Sequence, residues 1–180
     1  MSRIIIVSGP PGAGKSTVTD QLARRVDAEL AMHLRADDIY SYVRQGFVPP
    51  WQSGAQAQNG VLTEALAAQA GVCAEAGYTV FVDGVVGPWY AERWMEAARR
   101  HGAELHYVLL LPDEATTVSR ATARTSPQAM TDLGIAQVLW RRFHDYAPPA
   151  SFILDSTGQE VAQTVAAIFD GLAEGRFRLG

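Results

Sequence analysis

The stretch Gly9-Pro-Pro-Gly-Ala-Gly-Lys-Ser-Thr17 decides the fold of this 180-residue sequence. It matches the pattern Gly-x-x-x-x-Gly-Lys-Ser/Thr in full, and it lies between an apolar run and a segment with helical periodicity. Glycines at these spacings let consecutive backbone N–H groups turn inward around a phosphate at a helix N-terminus. The stretch therefore predicts a phosphate-binding loop, in which Lys15 reaches the β- and γ-phosphates and the Ser16 hydroxyl binds Mg²⁺.

Segments typical of strands and of helices alternate along the whole chain. The predicted strands are Arg3–Ser8, Leu30–Leu34, Tyr78–Asp83, Glu104–Leu111 and Ser151–Asp155. The predicted helices are Gly14–Val26, Asp37–Gln45, Ala57–Ala76, Pro88–His101, Asp113–Ala123, Asp132–Tyr146 and Gln159–Glu174. Several strands are continuously apolar, as parallel strands buried on both faces are. We therefore expect one α/β domain over residues 1–180, a three-layer sandwich around a five-stranded parallel sheet, with a small lid near residues 120–130.

Composition argues against several classes of protein. The net charge is −4, and the arginines are scattered or paired, so no basic surface that would track a phosphate backbone is expected. We accordingly expect no nucleic-acid partner. Cys73 is the only cysteine, which excludes an intrachain disulfide and a multi-cysteine metal site. The sequence shows neither a signal peptide nor a run long enough to span a bilayer, so we expect no membrane contact and a cytoplasmic protein.

A second part of the Mg²⁺ site is indicated by Val80-Phe-Val-Asp83, a buried strand that ends in a carboxylate. If this strand lies beside the first one, Asp83 and Ser16 provide the two metal-binding oxygens. The alternative is that Asp83 only caps the turn that begins at Gly84.

With these motifs the chain resembles the small-molecule P-loop kinases, a group that includes chloramphenicol phosphotransferase, gluconate and shikimate kinases, adenylylsulfate kinase and, more distantly, the zeta toxins. The most similar pattern is that of chloramphenicol phosphotransferase and of the uncharacterised AAA-type ATP-binding kinases grouped with it. The resemblance covers almost the whole length, but only the phosphate-binding loop (Walker A) is specific. It implies the P-loop NTPase fold, ATP and Mg²⁺ as cofactors, and transfer of the γ-phosphate to a hydroxyl of a small molecule. GTP in place of ATP stays open.

In that family an aspartate after the second strand is the base that faces the acceptor hydroxyl, and Asp37 is the residue that matches it better here. An independent argument supports this role, because α/β sheets bind ligands at the carboxyl ends of their strands. A carboxylate there accepts the hydroxyl proton during phosphoryl transfer. The alternatives are that Asp38 is the base, or that both acids only begin the helix.

Kinases of this kind also carry an arginine pair before the lid, which Arg120 and Arg124 match. Their spacing of four residues places both on one helix face, and guanidinium groups suit phosphate oxygens. The alternative is an exposed helix end with two solvated arginines. By the same resemblance, the turn at Gly158 passes the adenine. The expected nucleotide contacts are Gly9, Pro10, Pro11, Gly12, Ala13, Gly14, Lys15, Ser16, Thr17, Arg120 and Gly158.

The acceptor region departs from the better-known members of the family. Asp83-Gly-Val-Val-Gly-Pro-Trp89 replaces the glycine run that shikimate kinase carries after its third strand, so shikimate is not expected. An aromatic group remains, which favours a partly apolar acceptor unless it is ordinary packing. It comprises Tyr40, Tyr42, Phe47, Trp51 and Trp89. The expected acceptor contacts are Asp37, Arg44, Trp51 and Asp83, and the expected catalytic residues are Lys15, Asp37, Arg120 and Arg124.

Two other functions remain open at this point. One is a kinase that acts on a polynucleotide end or a nucleotide sugar. The other is a P-loop ATPase or regulatory nucleotide-binding module, which requires a positioned water where a kinase places the acceptor hydroxyl.

Overall fold

A computed structural model describes residues 2–123, 133–146 and 148–180, and a five-stranded parallel sheet lies at its centre. The strands are β1 (Arg3–Ser8), β2 (Ala31–Arg35), β3 (Thr79–Gly84), β4 (Glu104–Leu110) and β5 (Ile153–Leu154). Their order across the sheet is β2-β3-β1-β4-β5, and every pairing is parallel. The α/β class and the five parallel strands predicted from the sequence are thus confirmed.

Helices cover both faces of the sheet. They are α1 (Lys15–Arg25), α2 (Gln56–Glu75), α3 (Ala91–Arg100), α4 (Glu114–Thr122), α5 (Leu133–Tyr146) and α6 (Val161–Ala173). Successive side chains of β1 point to opposite faces. Ile4 and Ile6 therefore belong to the apolar cluster under α2 and α3, and Ile5 and Val7 belong to the one under α1 and α6.

The pairing of β1 with β3 brings two predicted motifs together. Val7 lies opposite Asp83, and Ser8 lies opposite Gly84. The chain continues from Ser8 directly into the glycine-rich loop, so the prediction that the Asp83 strand lies beside the first strand is confirmed. Both motifs lie at the carboxyl edge of the sheet, where α/β proteins bind ligands.

The predicted α-helix Asp37–Gln45 is wrong in type and in its end. The structure has a 3₁₀ helix at Ala36–Tyr42, and Val43 after it is extended. Asp, Tyr, Ser and Val are weak helix formers, and the segment is too short for an amphipathic face to compensate. Residues 43–55 then run without a regular element.

Two other predicted elements are partly replaced by 3₁₀ turns. The predicted helix Pro88–His101 is divided into a 3₁₀ turn at Pro88–Tyr90 and helix α3, because Tyr90 donates its N–H to Gly87 three residues earlier. The predicted strand Ser151–Asp155 is only two residues long, since a 3₁₀ turn occupies Ala150–Phe152.

The predicted lid falls largely on residues 124–132. These residues, Arg124 among them, lie outside the described part of the chain. Among the helices that the structure describes, none has the length and apolarity that crossing a lipid bilayer requires.

Candidate functional site

The glycine-rich loop connects β1 to α1, and its backbone has the conformation that only glycine adopts easily. Gly14, immediately before α1, has a φ of 92°. Gly12 has a φ of 93°, and a Cβ there would lie 2.1 Å from the carbonyl oxygen of Thr117 on α4. Both glycines are therefore required by the backbone, and α4 forms a wall against the outside of the loop. The loop leads into the N-terminus of α1, where the first backbone N–H groups of a helix form a site for an anion.

Lys15 lies within this loop. Its side chain is buried, and the ammonium donates a hydrogen bond of 3.0 Å to the carbonyl oxygen of Pro10. Its charge also acts on the carboxyl groups of Asp37 and Asp83. The sequence prediction that these groups share one site with the phosphate-binding lysine agrees with their placement.

Ser16, Asp83 and His33 form a continuous hydrogen-bonded row. The Ser16 hydroxyl donates to Oδ2 of Asp83, and the imidazole Nε2 of His33 lies 2.7 Å from Oδ1 of the same carboxyl. The Asp83 side chain is only 4% exposed. Burial alone would raise the pKa of Asp83, but the hydrogen bonds from His33 and Ser16 outweigh it, so this pKa lies below its usual value. Asp83 is therefore an ionised carboxylate at neutral pH, held at both oxygens.

The sequence analysis did not identify His33 as a functional residue. Nothing in its local sequence distinguishes it, because its partner is 50 residues further along the chain. The usable signal is topological: once β2 is placed beside β3, Arg35 lies opposite Asp83, and His33 is two residues before Arg35 on the same strand face.

The oxygens of Ser16 and Asp83 fit a magnesium ion. Mg²⁺ takes hard oxygen ligands, and it is usually bound through one or two protein groups together with substrate phosphates and water. The two side chains contact each other at the mouth of the anion-binding loop. Within the described ranges no group of three or more acidic, histidine or cysteine side chains is arranged as a metal cage.

Asp37 and Asp38 point in different directions. Oδ1 of Asp37 accepts a long hydrogen bond, 3.4 Å, from the N–H of Val85 in the turn after β3. Asp38 instead lies 3.5 Å from the guanidinium of Arg35, and both aspartates are exposed. Asp37 is thus the acid that faces the carboxyl edge of the sheet.

The surroundings of Asp37 raise the pKa of its carboxyl. The residue is exposed and lines a small cavity, and nearby protein partly desolvates its carboxyl. This desolvation raises the pKa of Asp37, while the Lys15 charge and the Val85 N–H oppose the rise and the Asp83 charge adds to it. A carboxylate with a raised pKa is a better proton acceptor than an ordinary surface aspartate.

The cavity beside Asp37 is small, about 30 Å³. Tyr40, Thr63 and Tyr90 line it along with apolar side chains. The Tyr40 hydroxyl donates to Asn59 at 3.2 Å, and burial raises the pKa of Tyr40 to about 12. The volume is that of about one water molecule or one hydroxyl group.

Arg44 and Trp51 do not line this cavity. Both are exposed on the irregular segment 43–55, which Gln58 and Asn59 of α2 hold by hydrogen bonds to Val48 and Pro50. Their role in acceptor binding stays a prediction.

Trp89, which the sequence analysis grouped with the other aromatic residues, packs against α5. The Arg142 guanidinium lies 3.8 Å from its ring centroid, and the ring of Phe143 is also close, at 5.6 Å. A broad open depression of about 630 Å³ adjoins this cluster, with Tyr146 on its wall. For Trp89, ordinary packing accounts for its contacts.

The remaining predicted nucleotide contacts border the loop from the α4 side. Arg120 lies in the last turn of α4, three residues beyond Thr117, which touches Gly12. The turn that contains Gly158 is tied to the start of α4, because the Thr157 hydroxyl accepts the N–H of Asp113 at 2.8 Å. Gly158 has a φ of 68°, and a Cβ added there would meet no atom of the described residues within 4 Å, so the turn leaves space beside it.

Comparison with known proteins identifies the family. A model of the AAA domain family matches residues 4–144. A search of curated proteins found no match. Similar solved structures include a sugar kinase from Janibacter sp. HTCC2649, with a TM-score of 0.73, 17% identity, and coverage of 96% of this chain and 95% of that one.

Two further kinases have similar structures. The APS kinase CysC of Mycobacterium tuberculosis, solved with AMPPNP and APS, has a TM-score of 0.69 and 14% identity, with 96% and 98% of the two chains covered. A gluconokinase from Sinorhizobium meliloti 1021 has a TM-score of 0.64 and 20% identity, with 96% and 93% covered. At these identities the likeness concerns the fold. Because the family match spans most of the sequence and the sheet agrees with these neighbours, this chain belongs to the AAA domain family and has a P-loop kinase-like fold.

Proposed function

We propose that this protein is an ATP-dependent kinase that transfers the γ-phosphate to a hydroxyl group of a small molecule, such as a metabolite, a sugar derivative or an antibiotic. The observation that carries the proposal is the convergence of three elements at one edge of the sheet. The anion-binding loop with Lys15, the Ser16–Asp83 pair and the Asp37 carboxyl are all electrostatically coupled.

Each element has a defined task in this reaction. The loop N–H groups and Lys15 would hold the β- and γ-phosphates, and Ser16 and Asp83 would hold Mg²⁺, which would supply positive charge to the phosphates. The acceptor oxygen forms a bond to the γ-phosphorus as the bond from that phosphorus to the β,γ-bridging oxygen breaks. ADP leaves with the electron pair, and Asp37 takes the hydroxyl proton.

The placement of Asp37 suits a proton acceptor, and the proteins with similar folds favour a kinase over an ATPase. Asp37 lines a cavity with room for a single hydroxyl or water, with Tyr40 and Tyr90 on the walls. The relatives with similar folds are described as kinases of sugars, gluconate and APS, which supports a small acceptor. The resemblance to the chloramphenicol phosphotransferase group, noted from the sequence, widens the range of acceptors to antibiotics. The negative net charge argues against a polyanionic acceptor.

The test compares the two neighbouring aspartates. Transfer from labelled ATP is first measured across phenicols, aminoglycosides, sugars, other alcohols, nucleosides and oligonucleotide ends. With an accepted substrate, Asp37→Asn is expected to slow transfer by about 10²–10⁴-fold while ATP binding measured by calorimetry persists. Asp38→Asn is the matched control and is expected to stay close to wild type. If only Asp38→Asn slows transfer, the base is Asp38; if neither does, the proposed base is wrong.

A further inference from the structure

The contact between His33 and Asp83 is not used by the reaction proposed above. His33 lies on β2, the edge strand, and its Nε2 reaches 2.7 Å across to Oδ1 of Asp83 on β3. The imidazole is 19% exposed and the carboxyl 4% exposed, so both groups are largely shielded from water. A polar contact in such surroundings is worth more than the same contact at the surface.

The carboxyl group of Asp83 needs two partners at this place. Oδ2 accepts from Ser16, and this is the oxygen that faces the phosphate-binding loop. Oδ1 faces the opposite way, towards β2, where little water reaches it. Without a donor there, a buried carboxylate oxygen would be left unsatisfied, and rotation of the carboxyl would be the simplest way to satisfy it. Such a rotation would move Oδ2 away from Ser16.

We propose that His33 is a positioning residue of the magnesium site, whose Nε2–H fixes the Asp83 carboxyl so that Oδ2 stays aligned with Ser16 before the metal binds. The inference rests on the proposed function, since Mg²⁺ enters with ATP. His33 would act through Asp83, the residue that its imidazole contacts. Partners that orient metal-binding groups in this way are worth about 10–100-fold in metal affinity or activity in other proteins.

The experiment uses two amides that differ by one methylene group. The amide nitrogen introduced by His33→Gln has a reach similar to that of imidazole Nε2, whereas the amide introduced by His33→Asn is too short to donate to Asp83. His101→Asn is the matched control. It makes the same substitution at another histidine that contacts a carboxylate, 2.6 Å from His101 Nδ1 to Glu75, at the opposite end of α3 from the site.

The readout is binding, not turnover. Calorimetry gives the Kd of ADP with Mg²⁺ and again in EDTA, and electron paramagnetic resonance counts Mn²⁺ bound with ADP. We expect His33→Asn to weaken the metal-dependent part of ADP binding about 10-fold or more, with binding in EDTA unchanged. His33→Gln is expected to restore wild-type values, and His101→Asn to show no change in either condition.

Two results would overturn this inference and leave the proposed function standing. One is metal-dependent binding in His33→Asn equal to wild type; the other is an equal loss with Mg²⁺ and in EDTA, which would make His33 a support of the loop as a whole. If wild-type protein binds no ADP in either condition, the proposed function fails and the inference fails with it. Thermal melting of each variant shows whether it is folded. If His33→Asn does not fold, the metal-dependent ADP binding of His33→Gln, compared with that of wild type, tests the inference in its place.

Discussion

Asp37 and Asp83 are two carboxyl groups at the ends of neighbouring strands, and their pKa values shift in opposite directions. Desolvation raises the pKa of Asp37, whereas hydrogen bonds from His33 and Ser16 overcome the effect of burial and lower that of Asp83. Pairs of acids with divergent pKa values commonly divide the work of a site. In the proposed reaction, Asp37 would accept the proton and Asp83 would supply a permanent negative charge for the metal.

The first prediction concerns the pH dependence of phosphoryl transfer. Asp37 must be ionised to accept a proton, so kcat/KM for the acceptor is expected to fall as pH decreases through the pKa of Asp37. Because that pKa is raised, the acid limb should lie above 3.8, the ordinary value for aspartate. Steady-state kinetics at saturating ATP and Mg²⁺ measures the profile.

Asp37→Asn provides the control for this profile, because a limb that survives in the variant belongs to the nucleotide. An acid limb at or below the ordinary aspartate value would contradict the assignment of Asp37. A titration of Asp83 would appear there instead, since its pKa is lowered.

At the scale of elements, the loop and α4 are packed so closely that their backbones touch. A Cβ at Gly12 would meet the Thr117 carbonyl at 2.1 Å, and the φ of Gly12 is positive. Gly102, between α3 and β4, has a φ of 61° but open space around it. Substitution at both positions introduces backbone strain, but only substitution at Gly12 also introduces a clash with α4. Comparing the two therefore distinguishes these effects.

The second prediction follows from this difference. Gly12→Ala is expected to abolish binding of ATP with Mg²⁺ because the loop must move away from α4. Gly102→Ala is expected to keep it, with a loss of about 1–3 kcal/mol in the free energy of unfolding from strain alone. Calorimetry and chemical denaturation measure the two quantities. Undiminished nucleotide binding in Gly12→Ala would show that the contact with α4 does not shape the loop.

The third prediction concerns the segment 43–55. Trp51→Ala is expected to raise the KM of the acceptor far more than the KM of ATP, because this segment follows the strand end that bears Asp37. Trp51 is 42% exposed, so little stability should be lost. Tyr42→Ala, at 74% exposed, is the control. Equal changes in both KM values would make Trp51 a structural residue.

An element could be predicted from the sequence when the residues that determine it are close together in the chain. The loop at Gly9–Thr17 and the strand that ends at Asp83 were predictable, because glycine spacing and a continuous apolar run are local patterns. The 3₁₀ helix Ala36–Tyr42 was not, since weak propensities leave its type to tertiary packing. The path of segment 43–55 depends on the side chains of Gln58 and Asn59, and the role of His33 depends on strand pairing. Contacts of this kind have no signature in a single sequence.

At the scale of the whole molecule, the sheet order brings every described part of the site to one edge. β1 lies in the middle of the sheet, with β3 on one side and β4 on the other, so the loop after β1 lies between the turn after β3 and the start of α4. Asp83, proposed to bind the metal together with Ser16, and Asp37, proposed to accept the proton, then lie on the β2–β3 side. The nucleotide contacts proposed for the other side come from α4 and from the turn at Gly158. We expect ATP and the acceptor to enter this edge from different sides.

The fate of the γ-phosphate tests the central claim most directly. Labelled ATP is incubated with the protein, Mg²⁺ and the panel of small alcohols, and the label is followed by chromatography into phosphate ester and inorganic phosphate. The account predicts that one small molecule accepts the label, one ester forming for each ADP, and that Lys15→Ala abolishes the transfer. Label that appears only in inorganic phosphate, or only on oligonucleotide ends, would contradict it.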